Sequence, residues 1–199
     1  MDDQYYDLIV IGAGINGAGI ARDAALRGLS VALFDKTDIA GGTTSWSSRL
    51  IHGGLRYLEH AEIGLVRESL RERERLLRVA PHLVHPLPLT IPIYRWHRRG
   101  PLLIRIGMVG YDVLSFDKSL PRHHMMSPPQ AAAHVPGLNQ DGLTGAARYY
   151  DAEVEFPDRF AVESAIDAAA NGATIRTGVE AVDLIVEAGV VRGVVWSDP

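Results

Sequence analysis

The chain has 199 residues, of which 47% are hydrophobic and 22% charged, with 24 Asp and Glu against 20 Lys and Arg for a net charge of −4. This is the profile of one domain to one and a half with enough apolar material for a core, and its mild acidity gives no reason to expect nucleic acid. The absence of cysteine excludes disulfides, thiolate metal ligands and a cysteinyl nucleophile together, and no apolar run approaches the roughly 20 residues of a membrane span.

The N-terminus, MDDQYYDLIV, is acidic and is not a secretory signal, so the chain reads as cytoplasmic, or at most peripheral on the inner face of the cytoplasmic membrane. Asp7 to Ile11 is a nearly continuous apolar run, as expected of a strand buried on both faces of a parallel sheet. It leads into Gly12-Ala13-Gly14-Ile15-Asn16-Gly17, a G-x-G-x-x-G. A helix is predicted over 15–28, with Ala18, Ala21 and Ala25 facing the sheet and Gly28 ending it. A second buried strand, Ser30 to Phe34, stops at Asp35. Gly12 permits the tight turn, Gly14 lets a pyrophosphate approach the backbone, and Gly17 allows close helix–strand packing. The pyrophosphate would lie against free N–H groups at the positive end of the helix, and Asp35 would accept from the adenosine ribose. An acid at position 35 disfavours NADP, whose 2′-phosphate it would repel. These residues alone leave FAD and NAD open.

The next segment, DIAGGTTSWSSRLIHGGLRYLEH (38–60), crowds hydroxyls, cations and Gly53-Gly54 into a stretch with neither helical nor strand periodicity. On its own, the serine pair reads equally well as the cap of a helix starting near Arg49. Arg56 could likewise pair with Glu59 or Glu62 on a surface helix.

With its neighbours, this segment closely resembles the FAD-dependent glycerol-3-phosphate dehydrogenases of the aerobic, respiratory type. The resemblance runs ungapped through Ser47 to Glu59 and continues in ERERLLRVAPHLV (72–84), IRIGMVGYDVLS (104–115) and YYDAEVEFPDRF (149–160). It implies an α/β fold: a Rossmann-like FAD-binding domain, of the glutathione-reductase and D-amino-acid-oxidase type, with part of an inserted substrate-binding cap. The implied cofactor is FAD, bound by Gly12, Gly14, Ile15, Asn16, Gly17, Asp35 and Lys36, with backbone near Val182 beside the adenine. Thr44, Ser45, Ser47 and Ser48 would supply donors to the isoalloxazine, and Gly53-Gly54 bare backbone against its face. On the substrate side, Arg56 offers a planar fork for phosphate or for charge developing on oxygen, Tyr57 a hydroxyl, and His52 orientation or proton handling. The implied reaction moves hydride from the secondary carbinol carbon of glycerol 3-phosphate to flavin N5, giving dihydroxyacetone phosphate, with the electrons passing to quinone.

Downstream, Ile63, Val66, Leu70 and Leu77 mark one face of an amphipathic helix over 61–83. Its charged face, which includes the Glu74–Arg78 pair, reads as solvated, and Pro81 ends it. Residues 85–155 lose the α/β alternation. HPLPLTIPIYRWHRRGP is proline-broken with strand-like pieces, LLIRIGMVGYDVLS is an apolar helix, and SLPRHHMMSPPQAAAHVPGLN is loop-rich. Arg95, His97, Arg98 and Arg99 ahead of the apolar helix have the order of an interfacial membrane contact, although a cap helix with a basic loop is the favoured reading. His123-His124, with no carboxylate or third histidine nearby in sequence, is poor ligand geometry, and no metal site is expected. From 156 the α/β pattern returns as a helix capped by Asp158, a strand TIRTG and a hairpin turning near Ala188-Gly189.

The expected domains are therefore 1–84 for the first part of the FAD domain, 85–155 for the partial cap and 156–199 for the return. Family members are longer, so the FAD domain is expected to be incomplete at the C-terminus and to hold FAD weakly alone. Two other readings stand beside the dehydrogenase: a glycerophosphate oxidase returning electrons to oxygen, and a non-catalytic flavin-binding fragment or subunit. Oligomeric state is not legible.

Overall fold

The computed structural model describes residues 4–60 and 62–197, with the side chains of Arg56 and Glu59 outside that description. In chain order its elements are β1 (Leu8–Ile11), α1 (Ile15–Leu26), β2 (Val31–Asp35), β3 (Leu50–Ile51), a 3-10 turn (Leu55–His60), α2 (Ile63–Val79) and β4 (Val84–Tyr94). They continue with α3 (Pro101–Leu114), β5 (His124–Met126), α4 (Pro128–His134), β6 (Leu143–Val154), α5 (Pro157–Ala170), β7 (Thr174–Thr177), β8 (Glu180–Glu187) and β9 (Val190–Ser197). Two units result, Met1–Arg49 with Phe156–Pro199, and Leu50–Glu155 inserted between them. The expected boundary at 84 thus falls at 49, because β3 pairs with β6 and brings residues 50–84 into the second unit.

The Rossmann-type α/β arrangement expected from the sequence is the first unit. β1, β2 and β7 form a parallel sheet in the order β1-β2-β7. Val31 and Leu33 pack with Val10, Ala21, Ala24, Ala25 and Ala168 on one face, and Ala32 and Phe34 pack with Ile9, Tyr6 and Val179 on the other. Burial on both sides explains why the strand reads as an apolar run without alternation. α1 and α5 come together through Ala18, Ala161 and Ala165, and their Arg22–Asp167 ion pair closes the rim. Gly17 marks the limit of that closeness: a Cβ there would stand 1.8 Å from the Gly12 carbonyl oxygen and 3.4 Å from Val10 Cγ1. Asp158 lies in the first turn of α5 rather than at its cap. Pro157 takes the first helical position, where a missing N–H costs nothing. The β8–β9 hairpin turns at Ala188 and Gly189, both at positive φ, and Trp196 stacks on Phe34.

The second unit is antiparallel. β6 lies between β3 and β4 and also pairs β5. The proline-broken tract forms one continuous strand, β4, whose only partner among the described residues is β6. Pro86, Pro88 and Pro92 share one alternation, so all three missing N–H groups point to the open edge. The tract expected to be loop-rich contains β5 and α4, the latter with a Ser127–Gln130 capping box. α2 packs Val66 and Leu70 against Tyr111 of α3, with Leu55, Leu58, Leu114 and Tyr149 around them. Its charged face is not wholly solvated: Arg73 and Glu74 are buried, while Ile63, placed on the apolar face, is exposed. α3 buries Met108 and Tyr111 and leaves Leu102, Ile106, Val109 and Val113 exposed. Beside it, Arg67 grips Asp117 with two hydrogen bonds, of 2.6 and 2.7 Å.

Two predictions follow from these contacts. Gly17→Ala forces loop and helix apart at about 1–3 kcal/mol, or roughly 2–4 °C of thermal midpoint per kcal/mol. Gly19→Ala, with open space around the new Cβ, leaves the midpoint unchanged or raises it. The Arg67 hydrogen bonds hold the Asp117 carboxyl down to about 2 from an ordinary 3.8. Its contribution is therefore full above the unfolded value and is lost as pH falls toward 2. Thermal melts of wild type and Asp117→Asn should differ at pH 7 and converge near pH 2.

Candidate functional site

In the first unit the glycine loop carries the chemistry. Gly12 has φ +100°, a conformation only glycine adopts easily. The Gly12 N–H donates to Phe34 O. The Ala13 N–H donates to Asp35 Oδ2 at 2.7 Å, and the Ile15 N–H to Thr44 Oγ1 at 3.0 Å. Ala40, itself at φ +61°, donates its N–H to Ala13 O at 2.9 Å. The segment after β2 thus folds back and braces the loop at two points. The amides of Gly14, Asn16 and Gly17 have no protein acceptor among the described residues, and the first turn of α1 holds no acid. Three backbone donors at a helix N-terminus suit a pyrophosphate, so the donor set fits the phosphates of a dinucleotide.

Several expected site residues are occupied by the protein itself. Asp35 accepts from Ala13 through Oδ2 and from the Thr37 N–H and hydroxyl through Oδ1. Oδ2 retains acceptor capacity for a ribose hydroxyl. The Ile15 amide goes to Thr44, which is buried. Ser45 Oγ donates to Ala40 O at 2.7 Å. Ser47 Oγ accepts from the Arg49 N–H at 3.3 Å, and Ser48 is exposed. The serine pair caps no helix, because Arg49 turns to φ +61° and the chain enters β3. Asn16 and Lys36 are exposed, Lys36 lying 3.9 Å from Glu180. Val182 is exposed at an irregularity of the β8–β9 pairing between Ala181 and Asp183.

The second unit holds His52, Gly53, Gly54 and Tyr57. The Gly53 N–H is shared between Tyr111 Oη at 3.0 Å and Asp151 Oδ1 at 3.3 Å, both side chains buried. Tyr111 donates to the same Asp151 oxygen at 2.6 Å. Arg73, fully buried, ion-pairs with Asp151 and donates to Tyr150 O at 3.2 Å. Burial, then the neighbouring Asp151, pushes the Tyr111 phenol well up, so it remains a donor. The same two causes bring Tyr149, edge-on to the Tyr111 ring, to about 12.

The Gly53 Cα is bare because a Cβ would meet Leu70 Cδ2 at 2.2 Å and Tyr111 Oη at 2.3 Å. At Gly54, φ is +68° and a Cβ would meet the Tyr57 ring at 2.5 Å. The protein's own packing therefore demands both glycines. The Gly54 N–H donates to His52 Nδ1 at 3.1 Å, which makes Nδ1 the acceptor and places the proton of a neutral imidazole on Nε2. In that state His52 presents a donor outward. Tyr57 is partly exposed, and the Arg56 side chain lies outside the described residues.

The sequence reading missed Arg73, Tyr111, Asp151 and Ala40. Arg73 had a signal, since it continues the buried stripe Val66-Leu70 at helical spacing. His123, judged to lack a carboxylate, has Asp112 Oδ2 on its Nδ1 at 2.7 Å, and Lys118 holds the other oxygen. No metal-ligating cluster forms among the described residues.

A family model described as FAD dependent oxidoreductase matches residues 7–198. The chain is 57% identical over 170 residues to a glycerol-3-phosphate dehydrogenase of Synechocystis sp., covering 85% of this chain and 31% of that protein. It is 46% identical over 171 residues to D-erythritol 1-phosphate dehydrogenase of Brucella abortus, covering 86% and 33%. The solved glycerol-3-phosphate dehydrogenase from Bacillus halodurans complexed with FAD superposes with a TM-score of 0.72 at 28% identity, over 100% of this chain and 31% of that one. The chain thus spans about a third of the length of the relatives it matches. This chain belongs to the FAD dependent oxidoreductase family.

Proposed function

We propose that the chain serves FAD-dependent oxidation of sn-glycerol 3-phosphate to dihydroxyacetone phosphate, with the electrons passed to quinone. The observation that carries this reading is the 57% identity over 170 residues to a protein named glycerol-3-phosphate dehydrogenase. The Brucella relative's printed name also contains a small polyol phosphate, which supports a phosphorylated polyol as the substrate class. FAD, when bound, supplies the hydride acceptor.

In the first unit the Gly14, Asn16 and Gly17 amides hold the pyrophosphate, and Asp35 takes a ribose hydroxyl. In the second unit Arg56 takes the substrate phosphate or the charge growing on its oxygen, and Tyr57 supplies a hydroxyl beside it. His52, held by the Gly54 amide, donates through Nε2 rather than accepting the substrate proton.

The test is anaerobic addition of glycerol 3-phosphate to the FAD-loaded protein. Bleaching of the flavin bands is expected, and Arg56→Ala should slow it by about 10²-fold or more. Flavin that is bound yet unbleached by glycerol 3-phosphate, or bleached by D-erythritol 1-phosphate alone, would overturn the substrate assignment. Oxygen uptake without quinone reduction would replace the acceptor and favour the oxidase.

Quinone is lipid-soluble, and no described helix is long and apolar enough to cross a membrane. The reading includes a peripheral contact through the exposed face of α3. Support comes from Leu102, Ile106, Val109 and Val113 on that face, with Arg105 exposed on the same helix and Arg95 and Arg98 exposed in the segment before it. Cosedimentation with phosphatidylglycerol vesicles should fall for an Ile106→Asp, Val113→Asp double variant. Equal sedimentation of wild type and variant would remove the membrane from the account.

A further inference from the structure

The His52–Gly54 loop is held from beneath by a charge that has been taken out of water. Asp151 Oδ1 accepts from Arg73, from Tyr111 and from the Gly53 N–H, and the residues Arg73, Tyr111 and Asp151 are each at most 1% exposed. Arg73 comes from α2, Tyr111 from α3 and Asp151 from β6. Three elements far apart in sequence therefore converge on one amide.

A buried ion pair placed for stability alone can often be exchanged for apolar residues of similar volume without loss. Here Arg73 Nε and Nη2 have no hydrogen-bond partner among the described residues, so the pair leaves part of its own guanidinium unsatisfied within the protein. What it does achieve is position. The Gly53 amide is fixed by the cluster and the Gly54 amide by His52, so these two N–H groups are spent inside the protein. The Gly54 carbonyl accepts the Tyr57 N–H at 2.8 Å, so the loop groups turned to a ligand are the His52 and Gly53 carbonyls and the His52 Nε2–H.

We propose that Arg73, Asp151 and Tyr111 are positioning residues, which fix the His52–Gly54 loop so that it presents His52 Nε2–H and the His52 and Gly53 carbonyl oxygens, not the Gly53 and Gly54 amides, to the flavin or substrate. The flavin part of this proposal rests on the function proposed above; the anchoring of the loop does not.

The test uses two variants and two readouts. Tyr111→Phe removes one hydroxyl and keeps the ring. The double variant Arg73→Met, Asp151→Leu removes the charge pair together, so neither partner is left buried alone. Amide hydrogen exchange without flavin reads the anchor. Exchange across residues 50–56 should quicken roughly tenfold or more in the double variant and by less in Tyr111→Phe, where Asp151 still accepts. Residues 10–26 of the first unit should be unchanged. The long-wavelength absorption band of the FAD-loaded protein reads the consequence and should shift in both variants while their thermal midpoints stay near wild type.

Exchange across 50–56 matching wild type in both variants would overturn the anchor. A loosened loop with an unchanged flavin band would overturn its role toward the cofactor. If the wild type takes up no flavin, the proposed function fails, and the exchange data still decide whether the cluster holds the loop.

Discussion

Arg73 and Asp151 face each other buried from solvent, and the second unit is arranged so that neither is left alone. Separating such a pair by removing one partner typically costs about 3–5 kcal/mol. That cost fixes α2 against β6, since the guanidinium must reach a carboxylate on the strand. Tyr111 carries α3 to the same point through its hydroxyl and its edge-on contact with Tyr149. The chain between β3 and the 3-10 turn is then tied down at Gly53, where only a bare Cα fits over Leu70.

The first unit obeys a different constraint, the thickness of backbone. Gly17 lets α1 approach until the Gly12 carbonyl would touch any Cβ, and alanines on α1 and α5 keep the helices close to the sheet and to each other. The same closeness brings Ala40 and Thr44 onto the glycine loop and uses the Ile15 amide inside the protein. The amides of Gly14, Asn16 and Gly17 are what the folded loop offers outward. Here small residues do what a buried ion pair does in the other unit: they leave a short piece of backbone no alternative conformation.

The first unit was largely legible in the sequence because its signals are local. An apolar run, a G-x-G-x-x-G and an acid at the end of the next run specify strand, turn, helix and strand within thirty residues. The hairpin at Ala188-Gly189 and the helix before it were readable for the same reason. The second unit was less legible because its determinants are distant in sequence. Residues 50–84 were assigned to the first unit because the long motif follows the glycine loop directly, whereas the pairing of Leu50 and Ile51 with Ala152 and Glu153 decides their place. β4 was hidden by prolines that suit an edge and not a centre. Arg73 lies on the buried stripe of α2, yet arginine reads as surface until the carboxylate it meets, seventy-eight positions away, is known. Among the candidate site residues, Gly53 and Gly54 were singled out for a ligand, while the structure shows a demand from Leu70, Tyr111 and Tyr57.

The most direct measurement is calorimetric titration of the protein with FAD and, separately, with FMN, which lacks the adenosine half. The dinucleotide site built from Gly12 to Gly17 and Asp35 predicts that FAD binds and that FMN binds far more weakly. Asp35→Ala should narrow the gap between them. Equal affinity for the two flavins, or no heat with either, would contradict the account.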